Sequence, residues 1–192
     1  MPLVDRADTV LVAVDVQEGF FGDGLPPQER EPARDALARM TWLARLARLL
    51  ELPAVLTEED PVRNGPAFAP IASLFGDSPA QVKPTFGLAG TPEIVARVEA
   101  TGRGTAVLIG FETDVCVAQS AIGLKERGMR VVVVEDAVFS PGQMHARGLA
   151  RMAAEGVELN HCKGLAYEWT RTVEESRRVL GSPELGEAPF RL

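Results

Sequence analysis

Apolar residues along the chain fall into two alternating rhythms. Short β-branched runs, apolar on both faces, recur at Thr9–Asp15, Pro53–Thr57, Gln81–Lys83, Thr105–Gly110, Arg130–Glu135 and Val157–Leu159, and read as buried strands. Between Glu29 and Leu50 the spacing changes to threes and fours, through Ala33, Leu37, Met40, Ala44 and Ala47. That period predicts an amphipathic helix, with Pro32 tolerated in its first turn. A helix capped by Thr91, with Pro92 at its first position, runs to Thr101-Gly102. Further helices are expected over Thr113–Arg127, Gln143–Glu155 and Leu165–Leu180, the first two closed by Gly128 and Gly156. Glu58–Ala80, rich in proline, predicts a long connection, and a loop of that length is more often functional than idle.

Strand and helix alternate from end to end. The pattern predicts an α/β protein with three layers, a doubly wound and mostly parallel six-stranded sheet between helices. Its length of 192 residues favours one domain over residues 1–192. In such folds ligands bind beyond the carboxyl ends of the strands.

Composition narrows the chemistry. The charge balance, 20 basic against 27 acidic side chains, gives −7, which argues against nucleic acid or an anionic membrane as partner. Two cysteines cannot frame a disulfide scaffold, and two histidines exclude a His-rich metal site. No apolar run reaches membrane-helix length, and the first residues lack a secretory signal, so a cytoplasmic location with free thiols is expected.

The residues that follow the strands carry the candidate chemistry. Asp15-Val16-Gln17 follows the first, Pro84-Thr85-Phe86-Gly87 follows Lys83 at the end of the third, and Gly110 through Cys116 closes the fourth. Each group alone has an ordinary reading: a turn aspartate, a solvated lysine, a small buried thiol. Together they supply a carboxylate, an ammonium and a thiol at one sheet edge. Cys116 is expected in the first turn of a helix, where free N–H groups and the dipole stabilise a thiolate. Asp15 can take the thiol proton and return it to a leaving amine, while Lys83 offsets the negative charge. This set suits acyl transfer followed by hydrolysis. Cys162, within Asn160-His161-Cys162-Lys163, is read as structural.

These residues, with Glu135-Asp136-Ala137, His145 and Glu168-Trp169 further on, resemble the isochorismatase-like cysteine hydrolase superfamily over nearly the whole chain. The resemblance implies a catalytic triad of Asp15, Lys83 and Cys116. It also implies a cis peptide between Phe111 and Glu112, an oxyanion hole from the N–H groups of Glu112 and Cys116, and a homo-oligomer. Nicotinamidase-like members carry histidine ligands after the second strand; here Thr57 through Pro66 holds none, so no metal and no cofactor is expected. Isochorismatase proper lacks the cysteine nucleophile, so Cys116 favours a small amide, carbamoyl or related acyl substrate. Gln17, Phe20 and Phe86 are candidate substrate contacts. Two rival readings are a thiol redox or sensor protein and a catalytically silent oligomer. A dinucleotide site is discounted, because Gly102-Arg103-Gly104 precedes its strand.

Overall fold

The computed structural model describes residues 2–76 and 79–192. Strands β1 (Thr9–Val14), β2 (Ala54–Glu59), β3 (Gln81–Lys83), β4 (Thr105–Phe111), β5 (Arg130–Phe139) and β6 (Glu158–Asn160) form one sheet, ordered β3-β2-β1-β4-β5-β6. Every pairing is parallel. The helices are α1 (Pro27–Leu49), α2 (Pro61–Asn64), α3 (Ala69–Ala72), α4 (Pro92–Glu99), α5 (Ala118–Glu126), α6 (Met144–Ala154), α7 (Cys162–Thr170) and α8 (Val173–Leu180).

Alternate residues of the buried strands face two separate cores, because a strand's side chains point to opposite faces. Leu11 and Ala13 of β1 pack with α1, α7 and α8, whereas Val10, Val12 and Val14 pack with α4, α5 and α6. This is the expected α/β/α sandwich. After β1 the chain winds to one side through β2 and β3, and after β3 it returns beside β1 as β4 and winds the other way. The crevice therefore opens at the carboxyl ends of β1 and β4, where the direction reverses.

Several elements depart from the sequence expectation. Periodicity merges α7 and α8 into one helix, but the chain breaks at Arg171, whose φ is 63°. α8 then starts afresh, with the Thr172 side chain accepting from Glu175 N–H. β5 runs on to Phe139, because a register shift against β4 re-pairs Gly110 with Val138. Thr91 holds the cap position of α4 but makes no cap hydrogen bond, and its hydroxyl meets Thr85 Oγ1 at 3.3 Å. The Glu58–Ala80 connection is largely built. β2 takes its first two residues, and α2, α3 and a 3-10 turn at Ser73–Phe75 follow, while Asp77 and Ser78 lie outside the described residues. Among the described residues no helix is long and apolar enough to cross a membrane.

Gly110 marks where the edge of the crevice is tightest. Its φ is 131°, and a Cβ there would sit 1.9 Å from the Val14 carbonyl oxygen. Only glycine lets β4 pass β1 this closely at the strand ends. Replacing it (Gly110→Ala) should cost about 3 kcal/mol of stability or more, read as a lower urea midpoint at unchanged slope.

Candidate active site

Asp15, Lys83 and Cys116 meet at the crevice. β1 ends at Val14, and Asp15 turns out of the strand with φ 50°, which swings its carboxyl away from the ladder. Lys83, the last residue of β3, places Nζ 2.6 Å from Asp15 Oδ2, and neither side chain exposes any surface. The same ammonium donates to the carbonyls of Thr85 at 3.1 Å and Phe86 at 2.7 Å. A buried ammonium has three hydrogens, and all three are used. Asp15 Oδ1 accepts from Thr57 Oγ1 at 2.8 Å, and the Cys116 thiol hydrogen-bonds the same carboxyl.

Cys116 stands in a π-turn, Thr113–Val117, that leads into α5. Val115 and Val117 N–H both donate to the Glu112 carbonyl, at 3.2 and 3.0 Å. Cys116 lies between these two donors, in the opening turn. The Phe111–Glu112 peptide immediately before the turn is cis.

Backbone contacts at glycines set the turn's position. Gly148 of α6 presses on Thr113 and Asp114, where a Cβ would meet Asp114 N and Cα at 2.8 Å. Gly87, four residues after Lys83, presses on Gln119 of α5, and Leu88 N–H donates to the buried Ser120 Oγ at 3.1 Å. The Lys83 loop and the Cys116 helix are thereby locked to each other. Thr113 Oγ1 also contacts His145 Nδ1 at 2.9 Å, and Ser140 Oγ donates to Asp114 Oδ1 at 2.6 Å.

The electrostatics correct the expectation of a stabilised thiolate. Burial, followed by the Asp15 carboxylate, pushes the Cys116 thiol up to about 12, and Lys83 only partly opposes this. Burial also raises Asp15 above the usual carboxylate range, against the pull of Lys83, Thr57 and Cys116. The resting site therefore holds a neutral thiol donating to a basic carboxylate. The dipole argument fails because a single opening turn cannot outweigh desolvation beside a negative charge.

The other expected contacts divide. Phe86 is 54% exposed beside the site, and its carbonyl is one of the acceptors for Lys83. Phe20 stacks on Phe111, with ring centroids 6.4 Å apart. Gln17 is buried and spends its amide on the loop. Nε2 donates to the carbonyls of Glu59 and Gly65 at 3.0 and 2.7 Å, and Oε1 accepts from Glu59 N–H at 2.7 Å. Both of its hydrogens are taken, so it holds the loop instead of offering a donor to a ligand. The loop acids also serve folding: Glu58 accepts from Ala67 N–H, Glu59 from Asn64 Nδ2, and Asp60 caps α2. His161 caps α7, and Cys162 is buried there beside Asp136, which accepts its N–H at 2.8 Å. Cys162 lies in the core on the opposite sheet face from Cys116, so it cannot resolve that thiol.

The isochorismatase domain family model matches residues 9–161. The chain belongs to that family. Bovine isochorismatase domain-containing protein 2 is 32% identical over 137 residues, which cover 70% of this chain but only 65% of that protein's length. The probable hydrolase YcaC of Escherichia coli is 29% identical over 181 residues, 89% of this chain and 84% of that one. Its crystal structure, described as an octameric hydrolase of unknown specificity, superposes with TM-score 0.81 at 28% identity, covering 94% of this chain and 88% of the other. YcaC from Pseudomonas aeruginosa, solved with hexane-2,5-diol and covalent acrylamide, superposes at 0.77 with 30% identity, over 93% and 90% of the two chains. The fold and the hydrolase family are thus shared over most of the chain.

In this family member, opposite-signed neighbours of the thiol should give opposite shifts. Iodoacetamide should modify Cys116 slowly near neutral pH, the rate rising about tenfold per pH unit without a plateau up to pH 10. Asp15→Asn should lower the apparent pKa and speed alkylation at pH 8, whereas Lys83→Met should raise it and slow the reaction. Intact mass against time at several pH values, on variants shown to be folded, gives the comparison.

Proposed function

We propose that the chain is a metal-independent cysteine hydrolase of a small amide, carbamoyl or related acyl substrate, working through an acyl-enzyme on Cys116. The observation that carries this reading is the buried thiol donating to a carboxylate that is itself paired with a fully buried ammonium.

As Sγ attacks the substrate carbonyl, its proton passes to Asp15. The transfer is internal, so the site's net charge does not change, and a proton moving between two raised acceptors requires no external base. Lys83 holds the carboxyl in place and limits the cost of burying it. The N–H groups of Glu112, just after the cis peptide, and of Cys116, in the π-turn, are assigned to the oxyanion. Asp15 then protonates the leaving nitrogen. It next takes a proton from water as the water attacks the thioester, and returns that proton to Sγ as the C–S bond breaks, releasing the acid and restoring the thiol.

Three further observations support the reading. Acrylamide is an electrophilic amide, and a relative at 30% identity holds it covalently. The segment Thr57–Pro66 holds no histidine, and its acids are committed to hydrogen bonds within the loop, with Ala67 N–H, Asn64 Nδ2 and Arg63 N–H. A redox sensor needs an exposed thiol of low pKa, whereas this one is buried and raised. By likeness to the octameric E. coli relative, we also assign this chain a homo-oligomeric state.

Ammonia release from a panel of primary amides and N-carbamoyl compounds is the test. Turnover should survive EDTA and fall at least about a thousandfold in Cys116→Ala. Asp15→Asn should lose turnover as well, even though its thiol ionises more readily, because the proton shuttle is gone. Full activity in Cys116→Ala would end the proposal.

A further inference from the structure

The turn that carries Cys116 leans on the junction between β5 and α6, and one side chain of that junction has no part in the acyl chemistry. Ser140, buried directly after β5, donates its hydroxyl to Asp114 Oδ1 at 2.6 Å and accepts Asp114 N–H at 3.4 Å. His145 and Gly148, three residues apart on one face of α6, both meet Thr113. A Cβ at Gly148 would lie 2.9 Å from the Thr113 carbonyl carbon, and His145 Nδ1 lies 2.9 Å from Thr113 Oγ1.

The burial of Thr113 gives that last bond its weight. The residue exposes no surface, and among the described residues His145 is the one hydrogen-bond partner of its hydroxyl. A buried hydroxyl left unpaired costs about 1–3 kcal/mol, so without the imidazole the hydroxyl is driven to seek water. Thr113 opens the π-turn three residues before Cys116, and a shift there carries the turn with it. The imidazole has no competing task. It does not cap α6, whose cap position is Gln143, and its Nε2 has no partner among the described residues. Burial lowers His145 below the ordinary imidazole range, against the pull of Glu135, so at pH 8 the ring is neutral.

We infer that His145 is a positioning residue for the nucleophile: through the Thr113 hydroxyl it fixes the opening turn and so keeps the Cys116 thiol on Asp15. The inference rests on the cysteine-hydrolase reading and adds the residue that sets where the thiol stands. When the turn drifts, Sγ leaves both its buried place and the carboxylate. Burial and Asp15 are what raise the thiol, so the thiolate then forms at lower pH, while the proton path to Asp15 is broken. Ionisation of the nucleophile and turnover therefore move in opposite senses, which loss of fold alone does not produce.

The test follows iodoacetamide alkylation of Cys116 from pH 6 to pH 10 by intact mass, with Cys116→Ser as the blank. Circular dichroism and urea midpoints show which variants are folded. The wild-type rate should climb without a plateau. His145→Leu and Thr113→Val should each bend the profile to a plateau below pH 10 and raise the rate at pH 8 by about tenfold, the gain in thiolate being partly offset by its lower nucleophilicity. The two changes combined should do no more than either alone, because they break one bond. His145→Asn, which can present an amide where Nδ1 stands, and Thr113→Ser should restore the wild-type profile. Turnover of the amide hydrolysed fastest by the wild type should fall at least about tenfold in His145→Leu and Thr113→Val. Thr113→Val keeps the side-chain shape and decides the matter should His145→Leu fail to fold. Wild-type profiles in these two variants overturn the inference and leave the nucleophile reading intact. So do effects that add in the combined variant or that His145→Asn and Thr113→Ser fail to reverse, and so does a wild type that already reaches a plateau at the pH of an ordinary thiol. Full amide turnover in Cys116→Ala overturns the hydrolase reading itself, and this inference with it.

Discussion

The ion pair between Asp15 and Lys83 is the constraint around which the carboxyl edge of the sheet is organised. Neither side chain touches solvent, so both charges have lost their hydration. Burying two such ions is costly unless every remaining donor and acceptor is satisfied, and removing one partner from a buried pair typically costs about 3–5 kcal/mol. The surroundings meet that condition with parts from several segments. Thr57 comes from β2, the carbonyls of Thr85 and Phe86 from the turn after β3, and the thiol from the turn after β4. A well-packed apolar pair would be cheaper, so the arrangement is best explained by what it does to the thiol.

Holding Cys116 against that pair demands positional accuracy that a loop cannot supply by itself. The structure obtains it from backbone contact. Gly87 and Gly148 let two other segments press directly on the chain on either side of Cys116, at Gln119 and at Thr113-Asp114. A glycine inside a helix such as α6 weakens the helix by roughly 1 kcal/mol relative to alanine. Here that loss allows α6 to lie on Thr113 and Asp114 without an intervening side chain. Gly110 plays the corresponding part between β4 and β1. The crevice is therefore rigid because main chain rests on main chain.

How much of this was legible in the sequence depends on the kind of interaction. The sheet was readable because each strand is buried on both faces and announces itself as a β-branched run, and Asp15, Lys83 and Cys116 were readable because they follow those runs. The break at Arg171 was hidden, since the apolar spacing of α7 continues into α8 across it. Thr57 was hidden in another way: a threonine ending an apolar strand looks like any β-former until the neighbouring strand presents a carboxylate. Gln17 looked available because a polar residue after β1 faces the crevice by position, yet the folded loop consumes its amide. The thiol's protonation state was beyond reach for a related reason. Helix position is a local property that sequence can suggest, whereas desolvation and the Asp15 charge come from residues about a hundred positions away.

That last difference bears on why a hydrolase using Cys116 as we propose would keep it protonated. A permanent thiolate beside an aspartate would set two negative charges in one buried site against a single ammonium, and it would be open to oxidation at rest. A thiol that surrenders its proton only as the carbonyl is attacked avoids both problems. In the proposed mechanism the same proton is then already on Asp15 when the leaving nitrogen needs it. The raised thiol, which sequence reasoning did not anticipate, thus belongs to the same logic as the buried pair. Lys83 makes a charged aspartate tolerable, and the aspartate makes an uncharged cysteine useful.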